Sequence, residues 1–176
     1  LGDQYSICSL RPTGIYGVAR PIENSRWFGL VRRVARGEPV RSARGGKEVH
    51  AADVARAVAL LLTADDIAGQ AYNCYDCYVA EEEVARIAKE ITGSDSTIER
   101  LNKGPVHQIE TGKIRALGMR FGGRPLLERT VRELLAGAGT LAVRRPIRLA
   151  ATAGDQHRRH GQEAERRRGR HGSAGQ

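Results

Sequence analysis

The sequence is short of the residues that cross-link a chain or anchor it in a membrane. Its 176 residues include three cysteines, Cys8, Cys74 and Cys77. An odd count without a signal-peptide pattern does not make a disulfide framework. It predicts free thiols in a reducing compartment, here read as cytoplasmic. No apolar run approaches the roughly 18 residues that a membrane span needs, so no membrane partner is expected.

Acidic residues are scarce in one region only. The formal net charge is +9, and residues 140–176 supply most of it through nine arginines set against Asp155, Glu163 and Glu165. Residues 1–139 are close to charge balance, so the body does not read as a nucleic-acid binder. Residues 154–176 also lack Val, Ile, Leu, Met, Phe, Tyr and Trp altogether. Such a segment buries too little apolar surface to offset an ordering entropy of roughly 1–2 kcal/mol per residue. A disordered basic tail over 140–176 is therefore expected, after a folded region over 1–139. The tail reads either as an arm that grips an acidic polymer or as a segment with no evolved structure. The abrupt change of composition favours the second. The chain opens on Leu1 and not Met, which fits either a fragment or a gene model starting at an unusual codon.

What is present is an alternation of strands and helices. Tyr5 to Leu10 reads as a buried strand, followed by turn and loop over 11–24, where Pro12 fixes φ and Gly14 and Gly17 permit unusual angles. Ser25 can cap a helix over about 26–36, with Trp27, Val31 and Val34 on one face. Residues 38–47 read as loop and Glu48-Val49-His50 as a minimal strand. A helix is predicted over 51–63 with Val54, Val58, Leu61 and Leu62 at helical spacing. Ala71 to Tyr75 reads as a strand. Residues 80–92 form a helix whose first turn holds Glu81, Glu82 and Glu83, where the dipole favours acids. Thr97 to Leu101 alternates weakly. Thr111 can cap a short helix over 112–117. Pro125 suits the first position of a last helix reaching about 136, with Leu127, Val131 and Leu134 inward.

Four stretches, taken together and in order, carry a resemblance. Leu10-Arg11-Pro12-Thr13-Gly14-Ile15-Tyr16-Gly17 follows a strand. Val49-His50-Ala51-Ala52-Asp53-Val54-Ala55-Arg56-Ala57 runs from a strand into a helix. Ala71-Tyr72-Asn73 precedes the Glu-rich helix, and Thr111 to Gly118 includes Lys113, Leu117 and Gly118. The chain resembles, over residues 5–136, the extended short-chain dehydrogenase/reductase family, the NAD-dependent nucleotide-sugar epimerases and dehydratases. The resemblance implies an α/β fold: the carboxy-terminal part of a doubly wound, Rossmann-like parallel sheet plus a small substrate-binding lobe. It implies NAD or NADP as the cofactor of the parent enzyme, with Arg11, Pro12 and Thr13 at its nicotinamide edge. It implies a small sugar-like substrate, with Gly14, Tyr16, Arg44 and Lys47 in its wall, and it is compatible with a homodimer of the full-length protein.

The sequence also departs from that pattern. The fourth residue after each tyrosine is Ser9, Arg20, Asp76, Val79 or Glu82, so no Tyr-x-x-x-Lys pair exists for general acid–base work. No catalytic residue is assigned for that reason. Gly137-Ala138-Gly139-Thr140-Leu141-Ala142 fits a Gly-x-Gly-x-x-Ala pattern but follows a helix, whereas a dinucleotide site needs strand, turn, helix. The family often places a phosphate-binding Arg seven residues before the Asp at 53. Here that position is Gly46, flanked by Arg44 and Lys47. The chain alone is thus expected neither to bind NAD or NADP tightly nor to turn over substrate.

Other groupings have plainer readings. Cys74-Tyr75-Asp76-Cys77 has no second pair to complete a metal site, and a buried free cysteine is common. No metal is expected. His50 reads as a half-buried strand residue, and Asp53 as a helix-dipole residue. Trp27 and Phe28 read as helix packing, although the resemblance places their helix beside the substrate cleft. Arg32, Arg33 and Arg36 read as a solvated face. The functional expectation is the carboxy-terminal part of an NAD(P)-dependent epimerase/dehydratase or reductase, inactive by itself. The alternative is a non-enzymatic polyanion binder acting through its arginines.

Overall fold

The structure, a computed structural model, describes residues 5–139. In chain order the elements are β1 (Ser9–Pro12), β2 (Gly14–Tyr16), a 3-10 turn (Ile22–Asn24), α1 (Phe28–Ala35), β3 (Val40–Ser42), β4 (Gly45–His50), α2 (Ala51–Thr63), β5 (Ala71–Cys74), β6 (Cys77–Ala80), α3 (Glu81–Thr92), β7 (Ile98–Arg100), α4 (Gly112–Ala116) and α5 (Gly123–Gly137). β1 lies parallel to β5, with Ser9 against Ala71 and Pro12 against Cys74. β2 lies parallel to β4, and β6 closes that sheet antiparallel. β3 and β7 form a third, parallel pair. The α/β class with parallel pairing is therefore as expected.

β4 separates two apolar clusters, because successive side chains of a strand point to opposite faces. On one face Tyr16 and Val79 join Val31, Val34, Val84, Ile87, Leu127, Val131 and Leu134 of α1, α3 and α5. On the other, Val49 joins Ala57 and Leu61 of α2, Tyr72 and Cys74 of β5, Ile114 and Met119. Two acids tie the start of α5 to the sheet. Asp53, at the start of α2, accepts the Gly122 amide at 3.0 Å, and Asp76 accepts the Gly123 amide at 2.8 Å. Gly123 has φ +57°, so the turn into α5 needs a residue without Cβ.

Several boundaries differ from the sequence reading. The strand read as buried over 5–10 is shifted to 9–12 and is largely exposed, with Tyr5 and Ile7 about 60% open, because β5 alone pairs with it among the described residues. The loop over 38–47 holds β3 and the start of β4. Short strands rich in Gly, Arg and Lys carry no β signal of their own, and their partners β7, β2 and β6 dictate them. Ser25 does not cap α1. Its hydroxyl accepts the Ala19 amide at 2.8 Å, and Trp27, at φ +67°, precedes the helix instead. The Thr111 hydroxyl does not cap α4 and receives Arg115 Nε at 3.0 Å. Pro125 is the third residue of α5, not the first.

α2 spans the expected residues but buries Asp53, Ala57 and Leu61. Val58 and Leu62 point outward, Leu62 being 81% exposed. The helix has two apolar stripes, and the described residues cover one.

Candidate functional site

The polar face of β4 sets up the site. Glu48 faces the cluster of α1, α3 and α5 and is 1% exposed. Two glycines make room for it. A Cβ at Gly14, its neighbour in register on β2, or at Gly46, two residues earlier on β4, would run into its carboxylate. Arg26, from the connection before α1, brings Nη2 to 2.6 Å from Oε1 as an ion pair that lacks hydrogen-bond alignment. Oε2 has no partner among the described residues. Burial pushes the Glu48 carboxyl up from its ordinary 4.5 to about 7, against the opposing pull of Arg26.

Arg26 is half-exposed and stacks its guanidinium 5.4 Å from the centre of the Trp27 ring. It also stands over Gly46, with Nη2 3.2 Å from where a Cβ there would lie. The Glu48 carboxylate and the cationic head of Arg26 together occupy the space above β4 that a side chain at position 46 would fill.

Beside Arg26 opens a cleft of about 670 Å³, lined by Arg26, Trp27, Arg33, Arg44, Val79 and Glu81 among others. Three cations face one carboxylate. Arg33 leans on Glu38 and on the carbonyl of Pro39. Glu81 accepts the Ser42 hydroxyl at 2.7 Å. The Arg44 guanidinium has no acidic partner among the described residues and is exposed. A second groove of about 250 Å³ runs past Tyr16, Gly17, Asn24 and Arg26, so Arg26 forms part of the wall of both.

Tyr16 is 2% exposed, and its ring meets Trp27 at 5.2 Å and the His50 edge at 5.0 Å. Its hydroxyl has no hydrogen-bond partner among the described residues, and burial raises its pKa, aided by Cys77, which would be charged only where the phenol itself ionises, and by the Asp76 carboxylate. The phenol therefore stays protonated at neutral pH. His50 caps α2 by accepting the Ala52 amide on Nδ1 at 3.0 Å, and burial lowers its pKa. That bond makes it a neutral capping residue.

The residues singled out in the sequence divide into three places. Arg44 lies in the cleft, Tyr16 in the adjoining groove, and Gly14 beneath Glu48. Lys47 has the opposite strand parity from Glu48, stands in register with Tyr78 and lines neither cleft. Arg11 and Pro12 are exposed at the end of β1. Thr13 donates its amide to the Cys74 carbonyl at 3.1 Å, while its buried hydroxyl has no partner among the described residues. Sequence reasoning missed Arg26 and Glu48. The signal for Glu48 was an acid at an inward position of a strand preceded by Gly45-Gly46. Nothing in the sequence linked it to Arg26, 22 residues away.

The Cys-x-x-Cys stretch places Cys74 at the end of β5 and Cys77 at the start of β6. Both thiols are free, and burial pushes Cys74 up to about 11 and Cys77 up to about 12. They remain thiols, poor as ligands or nucleophiles. No group of three or more His, Cys, Asp or Glu could hold a metal among the described residues. Nor is any helix among them long and apolar enough to cross a membrane. The arginine-rich stretch and the Gly-x-Gly-x-x-Ala pattern from Thr140 onward lie outside the described residues.

Residues 1–74 match the NAD dependent epimerase/dehydratase family. The epimerase/dehydratase match covers β1 to β5 with α1 and α2, and so contains the Leu10–Gly17 and Val49–Ala57 stretches, Arg26, Arg44 and Glu48. The fold agrees beyond it. A UDP-glucose 4-epimerase from Thermotoga maritima, solved with UDP-glucose, is 22% identical over 78% of this chain and 49% of its own, with a TM-score of 0.56. A UDP-glucuronic acid 4-epimerase from Bacillus cereus, solved with UDP-glucuronic acid and NAD, is 16% identical over 77% of this chain and 46% of its own, at 0.56. A dTDP-glucose 4,6-dehydratase from Streptomyces venezuelae, solved with NAD, is 23% identical over 76% of this chain and 45% of its own, at 0.54. The chain spans about half the length of these epimerase and dehydratase structures. No curated protein matches the sequence.

Proposed function

We propose that this chain contributes the substrate side of an NAD- or NADP-dependent epimerase, dehydratase or reductase, and that the cleft between α1 and β4 receives the phosphate-bearing part of a nucleotide-sugar substrate. The observation that carries this reading is Arg26 over Gly46, with Arg44 across the same cleft. The position where the resemblance leads one to look for a phosphate-binding Arg is glycine, and the Arg26 guanidinium from another element lies beside it, next to the Glu48 carboxylate that takes up the space over its Cα. An arginine fork suits phosphate oxygens geometrically as well as electrostatically. Trp27, in the same wall, offers a flat apolar face to a base or sugar ring.

At the other end, the residues at the close of β1 offer a cofactor an edge and not a cradle. The unpartnered buried hydroxyl of Thr13 is available for a hydrogen bond, and exposed Pro12 supplies a rigid apolar surface. A bound nicotinamide would supply hydride transfer. The chain has no Tyr-x-x-x-Lys pair, and Tyr16, buried and held protonated, is not a base at neutral pH. Its part is binding and orientation.

The test is a calorimetric titration of the full 176-residue chain with UDP. At pH 6 we expect binding in the millimolar to high-micromolar range, weakened at least fivefold by Arg44→Ala and by Arg26→Gln and unchanged by Lys47→Ala. Equal affinity in all variants would overturn the assignment of the cleft.

A further inference from the structure

Glu48 is a buried acid with one unpartnered oxygen, and the cation beside it is a wall residue of the cleft proposed above. We propose that Glu48 is a positioning residue that controls the anion affinity of this cleft: ionised, it holds Arg26 down over Gly46 and cancels its charge; protonated, it releases Arg26 to engage an anionic group. The inference rests on the cleft reading and adds regulation by proton uptake.

The geometry limits what else could hold Arg26. Its other neighbour is the Trp27 ring, which attracts but does not neutralise a guanidinium. Glycine at 14 and 46 leaves the carboxylate no bulkier neighbour that could shield it from Arg26. The charged and titratable groups around this face of β4 are Arg26 from the connection before α1, Tyr16 from β2, Asp76 and Cys77 at the start of β6, and His50 further along β4, with Asp53 of α2, Glu83 of α3 and Arg129 and Glu133 of α5 acting on Cys77 or His50. Of these, Arg26 is the charge that acts on the Glu48 carboxyl. Tyr16 and Cys77 are kept neutral by burial, and His50 is a neutral cap. Asp76 is engaged with the Gly123 amide. Arg26 is thus the counter-charge of Glu48 among these groups. Adding a proton to Glu48 leaves one uncompensated positive charge in the wall of the cleft. The burial that lifts the Glu48 carboxyl places this change near neutral pH.

Proton control predicts that anion binding strengthens as the pH falls. Sulfate is a suitable probe because it stays a dianion across the range. We expect the full chain to bind sulfate at least threefold more tightly at pH 6 than at pH 8, with amides of Arg26, Trp27 and Arg44 shifting in heteronuclear spectra. Glu48→Gln should keep the tight, low-pH affinity at both values. Arg26→Gln should bind weakly at both. A wild-type pH dependence that survives in Glu48→Gln would overturn the inference, since histidines elsewhere would then account for it. A carbon-detected titration of the wild-type glutamate carboxyls gives a second readout that needs no variant. One carboxyl should titrate near neutrality and disappear from the set in Glu48→Gln, and a full set titrating below pH 5.5 would overturn the inference. Sulfate that shifts none of these three amides at any pH would overturn the cleft reading. Binding in the cleft with an unaltered profile in Glu48→Gln would overturn the proton control alone.

Discussion

Arg26 Nη2 lies 3.2 Å from the point where a Cβ on Gly46 would stand, and the Glu48 carboxylate is nearer still. Position 46 is therefore glycine for a reason of volume. Gly46→Ala should cost about 1–3 kcal/mol, because the added methyl must displace a buried carboxylate and its counter-ion. Gly29→Ala is the matched control: its Cβ would meet nothing within 4 Å, and alanine favours a helix by up to about 1 kcal/mol. Urea denaturation of both variants checks the pair. Equal stability would show that Glu48 is not held where the structure puts it.

The Glu48 carboxyl gives the fold itself a pH signature. Its folded value is raised, so the unfolded chain gives up its proton first as the pH climbs. Stability should fall between about 4.5, the ordinary value, and about 7, the value in the fold, and then level off. Across that window the loss from this group is at most about 3–4 kcal/mol. Glu48→Gln should abolish this component and be the more stable protein at pH 8 relative to wild type than at pH 5. Parallel stability profiles for the two chains from pH 5 to 8 would contradict the burial of an ionisable Glu48.

Asp53 anchors the start of α5 through the Gly122 amide and also pairs with Arg56. Removing its carboxylate leaves that half-buried amide without a partner. Asp53→Ala should cost about 1–3 kcal/mol, whereas Asp65→Ala, exposed in the loop after α2, should be neutral within about 0.5 kcal/mol. Thermal melts of the two variants decide it. A neutral Asp53→Ala would reduce this residue to the helix-dipole role that its position alone suggested.

α2 allows a direct check on which stripe is covered. Leu61→Ala should lose about 2–5 kcal/mol, because Leu61 is 6% exposed among Val49, Tyr72 and Cys74. Leu62→Ser should change stability by less than about 0.5 kcal/mol and improve solubility, because Leu62 lies open beside Ile7 and Val58 in an apolar groove. Denaturant midpoints measure the first effect and the concentration limit in light scattering the second. A loss of similar size in both variants would restore the stripe expected from spacing alone, in which Leu61 and Leu62 are both inward.

The sequence made helices more legible than strands, and strands more legible than polar contacts. α2, α3 and α5 declared themselves through apolar spacing over twelve or more residues. β3 and the first half of β4 did not, because Arg41, Ser42, Gly45 and Gly46 have no β preference and are made strands by their partners. Arg44 was legible through the resemblance. Arg26 was not, because its role depends on Gly46 leaving a space that the Glu48 carboxylate and a side chain 20 residues away share. The exposed stripe of α2 was misread for a related reason: periodicity shows that a face is apolar but not what covers it.

The central claim is that Arg26 and Arg44 frame an anion site, and Trp27 reports on it directly. It is the one tryptophan of the chain and lines the same cleft as both arginines. We expect UDP at pH 6 to change the fluorescence of the full chain saturably, with at least fivefold weaker binding in Arg26→Gln and Arg44→Ala and no change in Arg11→Ala, which lies outside the cleft. A saturable change of equal affinity in all four proteins, or none in the wild type at millimolar UDP, would contradict the account.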